Sequence, residues 1–101
     1  MTLIEILLPL NDNAGRPQPR KAFADLRRLL VERFGGLTAF TRSPAEGLWD
    51  GEGKIERDDI VVLEVMTDYV DRTWWSALRE RLEARFRQES IVIRAHHVDT
   101  L

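Results

Sequence analysis

Four residues of this chain have types and spacings that could do chemistry together: Glu5, Glu64, Arg94 and His96. Each lies within a run of aliphatic and β-branched residues, in step with apolar neighbours two places away, which puts all of them on sheet faces. Imidazole titrates near neutral pH, and a carboxylate beside it would orient it. His96 with Glu5 or Glu64 therefore has the parts for proton transfer. Two carboxylates alone would push one pKa up, whereas Arg94 beside them would hold both ionised. No nucleophile joins the set, since Ser43, Ser76 and Ser90 fall in loops or on a helix. There is no G-x-S-x-G, no Walker lysine loop and no G-x-G-x-x-G, and Gly51-Glu52-Gly53 lacks the following glycine and helix start that cradle phosphate. His96 and His97 are neighbours on one strand and point to opposite faces, so they cannot share a metal within one chain. His96 with one glutamate is a thin ligand set. This reading assigns no catalytic residue, no metal and no cofactor. It leaves Glu5, Glu64, Arg94, His96 and the loop residue Trp49 as candidate contacts for a small molecule, with a cross-strand ion pair in a dimer interface as the plainer role.

The elements that must position these side chains are legible from hydrophobic period. Thr2 to Leu8 alternates as a strand, with Ile4, Ile6 and Leu8 on one side and Leu3, Glu5 and Leu7 on the other. Asn11, Asp12, Asn13 and Gly15 then form a turn-rich loop closed by two prolines. A helix starts at Pro19 or Arg20, its stripe being Phe23, Leu26, Leu30 and Phe34, and Gly35 is the left-handed residue that ends it. Leu37 to Thr41 is a second strand. From Arg42 to Asp59 runs a long connection, expected to be a hairpin arm with Leu48-Trp49 and Lys54-Ile55 as legs around Asp50-Gly51. Ile60 to Met66 is a third strand. Asp68 or Asp71 caps a second helix over Arg72 to Gln88, with Trp75, Leu78, Leu82 and Phe86 facing inward. Ile91 to Val98 is the last strand.

That order, βαββαβ, spells a ferredoxin-like α+β sandwich: a four-stranded antiparallel sheet with two helices on one face and a long arm between the second and third strands. The expected strand order is 4-1-3-2, which puts Glu5 between Glu64 and Arg94. The helix-covered side is then all aliphatic: Ile4, Ile6, Leu8, Val61, Leu63, Val65, Ile91 and Ile93. The open side carries Leu3, Leu7, Val62, Met66, Val92 and Val98 around the four polar residues. Six aliphatic side chains on a wet face form a patch of a few hundred Å² or so, large for a monomer. A second copy stacked sheet on sheet would cover it, and two-fold dimers are the commonest homo-oligomers. Trp49 folding back on the arm is the other cover.

Composition narrows the rest. The 101 residues fit a single domain spanning 1–101, large enough for a core without staples. There is no cysteine, which removes disulfides and thiolate chemistry. Fifteen basic against 17 acidic residues give a net charge of −2, and the expected open face offers no aromatic ring for base stacking, so nucleic acid is not an expected partner. The apolar start MTLIEILLPL is short, carries Glu5 and has no basic lead, so it reads as a strand rather than a signal peptide. With no 18-residue apolar run, no membrane is expected either, and the expected location is cytoplasmic.

Three stretches also carry a resemblance: Phe34-Gly35-Gly36-Leu37-Thr38, Gly47-Leu48-Trp49-Asp50 with Gly53-Lys54-Ile55, and Phe86-Arg87-Gln88-Glu89-Ser90-Ile91-Val92. Together they resemble a family of small uncharacterised bacterial α+β proteins, a domain of unknown function. Its members share an FPDGLT-like turn, a G-x-W segment and an F-x-Q-E-S-V strand entry. The chain departs from that pattern at Gly35-Gly36, where proline and aspartate are common, and it lacks the secretion signal many members carry. The resemblance implies the same α+β layout and draws attention to Thr38, Trp49, Gln88 and Glu89, the last two as braces of the helix-to-strand turn. The function expected from all this is a non-catalytic homodimeric ligand-binding or assembly module. The alternative is a small enzyme of the dimeric α+β barrel type with a polar cavity on the open face.

Overall fold

A computed structural model describes residues 1–42, 47–48, 55–56 and 59–101, and side chains within the first and last of these ranges up to Thr41 and from Asp59. Eight elements follow in order: β1 (Thr2–Pro9), α1 (Arg20–Phe34), β2 (Thr38–Arg42), β3 (Gly47–Leu48), β4 (Ile55–Glu56), β5 (Ile60–Thr67), α2 (Arg72–Arg85) and β6 (Val92–His97). The main sheet is antiparallel with order β2-β5-β1-β6, which is the expected 4-1-3-2. The architecture is the ferredoxin-like α+β sandwich. β3 and β4 pair as Gly47↔Glu56 and Leu48↔Ile55, one residue out from the expected legs. Trp49 and the Asp50-Gly51 turn lie outside the described residues.

Each helix stops for a local reason. In α1 no side chain caps the start, but Gly35 takes φ 77° and its N–H closes on the Val31 carbonyl, a left-handed stop that costs glycine little. In α2 the Asp71 carboxylate accepts the Trp74 N–H at 3.0 Å, the N-cap the sequence offers. The helix closes three residues before the expected Gln88. Phe86 ends it, Arg87 turns left-handed at φ 53°, and Gln88 N–H reaches back to the Glu83 carbonyl at 2.9 Å while Arg87 N–H meets that of Ala84. This is a Schellman stop built on arginine instead of glycine.

Beneath the helices Ile4, Ile6, Leu8, Leu63, Val65 and Ile91 pack against Ala22, Leu26, Leu30, Trp75, Leu78, Leu82 and Phe86. Phe86 has no exposed surface and meets Phe23 edge-on at 5.0 Å. Phe34 stacks on Trp75 at 5.4 Å, and Trp74 stands edge-on to both, with the Arg33 guanidinium 4.2 Å from its ring centre. These contacts lock α1 to α2, so that both helices act as one lid on one side of the sheet. Gln18 adds a buried polar tie, donating to the Phe86 carbonyl at 2.8 Å across 68 residues.

Candidate functional site

The register decides which side chains share the open face. Glu5 pairs with Glu64 on one side and Arg94 on the other. One step toward the start of β1, Leu3 lies between Met66 and His96, and one step the other way Leu7 lies between Val62 and Val92. On β2, Thr38 pairs with Glu64 and Phe40 with Val62. The face is therefore three rows deep: Met66-Leu3-His96, Glu64-Glu5-Arg94 and Val62-Leu7-Val92. Because strand side chains alternate, a slip of one residue would bury all of these under the helices.

At the centre, the Glu5 side chain is 9% exposed. Its Oε1 accepts the Arg94 Nε–H at 3.1 Å and is hydrogen-bonded to His96 Nε2, whose imidazole donates when its proton is on that nitrogen. Burial pulls the Glu5 carboxyl upward. The hydrogen bonds from His96 and Arg94, with the positive charge of Arg94, outweigh that pull and hold its pKa below the ordinary value. The carboxylate is thus fixed as an anion at neutral pH. Glu64 stands across the strand pair, where like charges directly opposed are unfavourable, and Arg94 and His96 on the far side offset that. Four of the five expected contacts, Glu5, Glu64, Arg94 and His96, therefore share one face, with Glu5, Arg94 and His96 directly bonded. Trp49, the fifth, lies outside the described residues. Among the described residues no three of His, Cys, Asp or Glu gather as a metal-ligating group.

Two expectations about this face need correcting. Val62, expected among the bare aliphatics, is 2% exposed despite facing away from the helices. It sits mid-sheet between Leu7 and Phe40 on the two flanking strands, while Met66 (53%) and Val92 (49%) are the apolar residues left exposed. The face also holds an aromatic ring after all. Phe40 is half-buried on β2, a strand whose TAFTR sequence has no alternation to give its facing away. Beside Glu64 the face runs into a cleft of about 290 Å³ floored by Leu3 and Met66 and walled by Gly35, Gly36 and Thr38. At the turn into β6, Gln88 does brace the loop, donating to the Phe86 carbonyl. The second brace is not Glu89 but Glu83, whose carboxylate accepts the Ile91 N–H at 3.0 Å. Glu83 lies on the outer charged pattern of α2, so nothing in the sequence marks it.

No protein-family model and no curated protein matches the chain. Solved structures do. CutA1 from Pyrococcus horikoshii, as a single-substitution variant, aligns with a TM-score of 0.58 at 19% identity over 100% of this chain and 86% of that one. A phage SAM lyase in complex with S-methyl-5′-thioadenosine gives 0.64 at 13% identity over 95% and 80%. The PII-like protein CutA from Nostoc sp. PCC 7120, in apo form, gives 0.52 at 17% identity over 98% and 82%. At these identities the likeness is one of fold. No helix among the described residues is long and apolar enough to cross a membrane.

Proposed function

We propose that this protein is a non-catalytic assembly and ligand-binding module that works as a homodimer, two copies closing their open sheet faces on each other. The observation behind this reading is that the face is charge-complementary to itself in one orientation. Lay a two-fold axis over β1, parallel to it and between the sheets. β5 of one copy then faces β6 of the other, row against row. Glu64 meets Arg94 twice, Met66 meets His96, Val62 lies opposite Val92, and Leu3, Glu5 and Leu7 meet their own counterparts, each Glu5 carboxylate being already bonded to Arg94 and His96 of its own copy. An axis across the strands instead sets Glu64 on Glu64 and Arg94 on Arg94. One between β5 and β1 sets Glu64 on Glu5. In both, Glu64 meets a carboxylate in place of Arg94, which rejects them. Three opposed strands, β5, β1 and β6, over eight residues cover roughly 400 Å² in projection, below the roughly 800 Å² per partner of a standard interface, so a dissociation constant in the micromolar range is expected.

Sedimentation equilibrium tests this. At about 200 µM the protein should run at twice its 11.7 kDa monomer mass. Glu64→Lys should weaken association at least about tenfold, because two attractive pairs become repulsive. The same change relieves Glu5 in the monomer, so its melting temperature should not fall. A wild-type chain that stays monomeric at that concentration refutes the reading.

The enzyme reading has one observation of its own, the direct pairing of His96 with a carboxylate held ionised. It requires that His96→Ala or Arg94→Ala change the response to some bound metabolite in a thermal-shift screen, and unchanged responses in both remove it.

A further inference from the structure

On the other side of the sheet, α2 and the outer strand β6 diverge to leave a cleft of about 380 Å³. Its floor is apolar, with Ile93 and Ala95 from β6, and Trp75 forms a wall. Its rim is basic. Arg72, Ser76 and Arg79 follow one another at four and three residues along α2, the spacing that keeps side chains on one helix face. The two arginines are about 10.5 Å apart along the axis, with the serine hydroxyl between them. Long helical side chains lean toward the helix start, which favours Arg79 reaching back toward Ser76, while Arg72 must turn against that lean to meet the same ligand. Neither arginine has an ion-pair partner among the described residues. Of the carboxylates along the helix, Asp71 caps Trp74 and faces Arg33 of α1, Glu83 holds the Ile91 amide, and Glu80, next to Arg79 in sequence, lies about 100° further round the helix.

We infer that this cleft is a binding site for a small phosphomonoester carrying a single flat ring. The phosphate would take charge-assisted hydrogen bonds from Arg72 and Arg79 and one from the Ser76 hydroxyl, while the ring lies on Ile93 and Ala95 beside Trp75. Arginine matches the fork geometry of phosphate oxygens, and an apolar pocket with a few convergent polar groups is the usual form of a small-molecule site. The cleft opens on the helix side of β6, and the proposed dimer uses the opposite side, so the two proposals stand or fall separately.

Phenyl phosphate titrated into the ¹⁵N-labelled protein tests the site. Amide shifts should saturate with a dissociation constant below about 5 mM and map to Arg72–Arg79 and Val92–Ala95. Inorganic phosphate and phenol should each bind at least about tenfold more weakly, because each keeps only half of the contacts. Arg72→Gln and Arg79→Gln, with otherwise unchanged spectra, should each weaken phenyl phosphate about tenfold, and Ser76→Ala about threefold. Shifts that do not saturate by 20 mM, that map outside the cleft, or that survive in the doubly substituted Arg72→Gln, Arg79→Gln protein would overturn the inference.

Discussion

A chain without cysteine allows the proposed two-fold axis to be located by a single introduced thiol. Stacked sheets lie about 10 Å apart with their strands about 30° askew. With the axis over β1, Leu3 faces its own counterpart. Leu3 lies two residues from the Glu5 row, about 7 Å along the strand, so the skew displaces the two copies sideways by only about 3–4 Å. The two Cα atoms then sit roughly 11 Å apart. Met66 is one strand over, about 4.8 Å from the axis on each copy, and its two Cα atoms come out at roughly 12–17 Å, according to the sense of the skew. Leu3→Cys should therefore be joined efficiently by a bis-maleimide of about 8 Å span, while Met66→Cys, in the more exposed position, should react with the reagent but form little dimer. The assay is a denaturing gel after brief treatment at about 200 µM protein, with mass spectrometry to confirm that both thiols were modified. Equal mixing of Met66→Cys with His96→Cys should restore cross-linking, because those two positions oppose each other between copies. The reasoning is refuted if Leu3→Cys gives no covalent dimer, or if Met66→Cys alone is joined faster than Leu3→Cys.

Three further outcomes follow from the same structure. Arg87 holds a left-handed backbone that costs a non-glycine residue about 1–2 kcal/mol, partly cancelled by the extra freedom glycine has when unfolded. Arg87→Gly should thus raise stability by about 0.5–1 kcal/mol and the melting temperature by about 2–8 °C. Gly35→Ala, where no atom lies within 4 Å of the added methyl, should lower stability by a similar amount through φ alone. Differential scanning calorimetry reads both, and a destabilised Arg87→Gly contradicts the strain argument. For Glu5, the folded pKa lies below its ordinary 4.5, so the unfolded chain binds this proton more tightly. The stabilising contribution is whole above that ordinary value and is lost as pH falls through the lower folded value. Urea unfolding of Glu5→Gln at low protein concentration should be less stable than wild type at pH 7, with a shallower loss below about pH 4.5. Parallel acid limbs would show that Glu5 is not the group responsible.

How much of this could be read from sequence depends on whether one residue's neighbours carry the signal. β1 and β5 are apolar runs broken by a single glutamate each and β6 carries Arg94 and His96 in step; those polar residues in a known strand order mark one side, so the Glu64-Glu5-Arg94 row is legible from sequence. β2 offered only TAFTR, whose mixed faces hid Phe40. Gly35 announces its left-handed turn by residue type, while Arg87 performs the same turn without the residue that signals it. Gln18 and Glu83 make bonds to Phe86 and Ile91 whose need arises only once the helix end meets the sheet, so their types alone say nothing. The α2–β6 cleft was hidden for a related reason: Arg72, Ser76 and Arg79 read as a solvated helix face until β6, far along the chain, supplies an apolar floor beside them.

The buried centre of the open face also bears on why a dimer would be specific as well as stable. An apolar Leu-Leu-Leu column along β1 would hide more oily surface than Leu3-Glu5-Leu7 does, and it would accept a second sheet at many angles. Placing a carboxylate in the middle row costs desolvation, which Arg94 and His96 repay within the same copy. With that internal demand met, what the row presents outward is uneven: negative at Glu64, neutralised at Glu5, positive at Arg94. An uneven row can match its own image in one direction only, and the apolar rows above and below then supply the contact area. Specificity of alignment would come from the charged row and affinity from Leu3, Leu7, Met66 and Val92. Replacing Glu5, Glu64 and Arg94 together by leucine should therefore strengthen association while letting cross-links form at positions that the single alignment keeps apart, Met66→Cys among them.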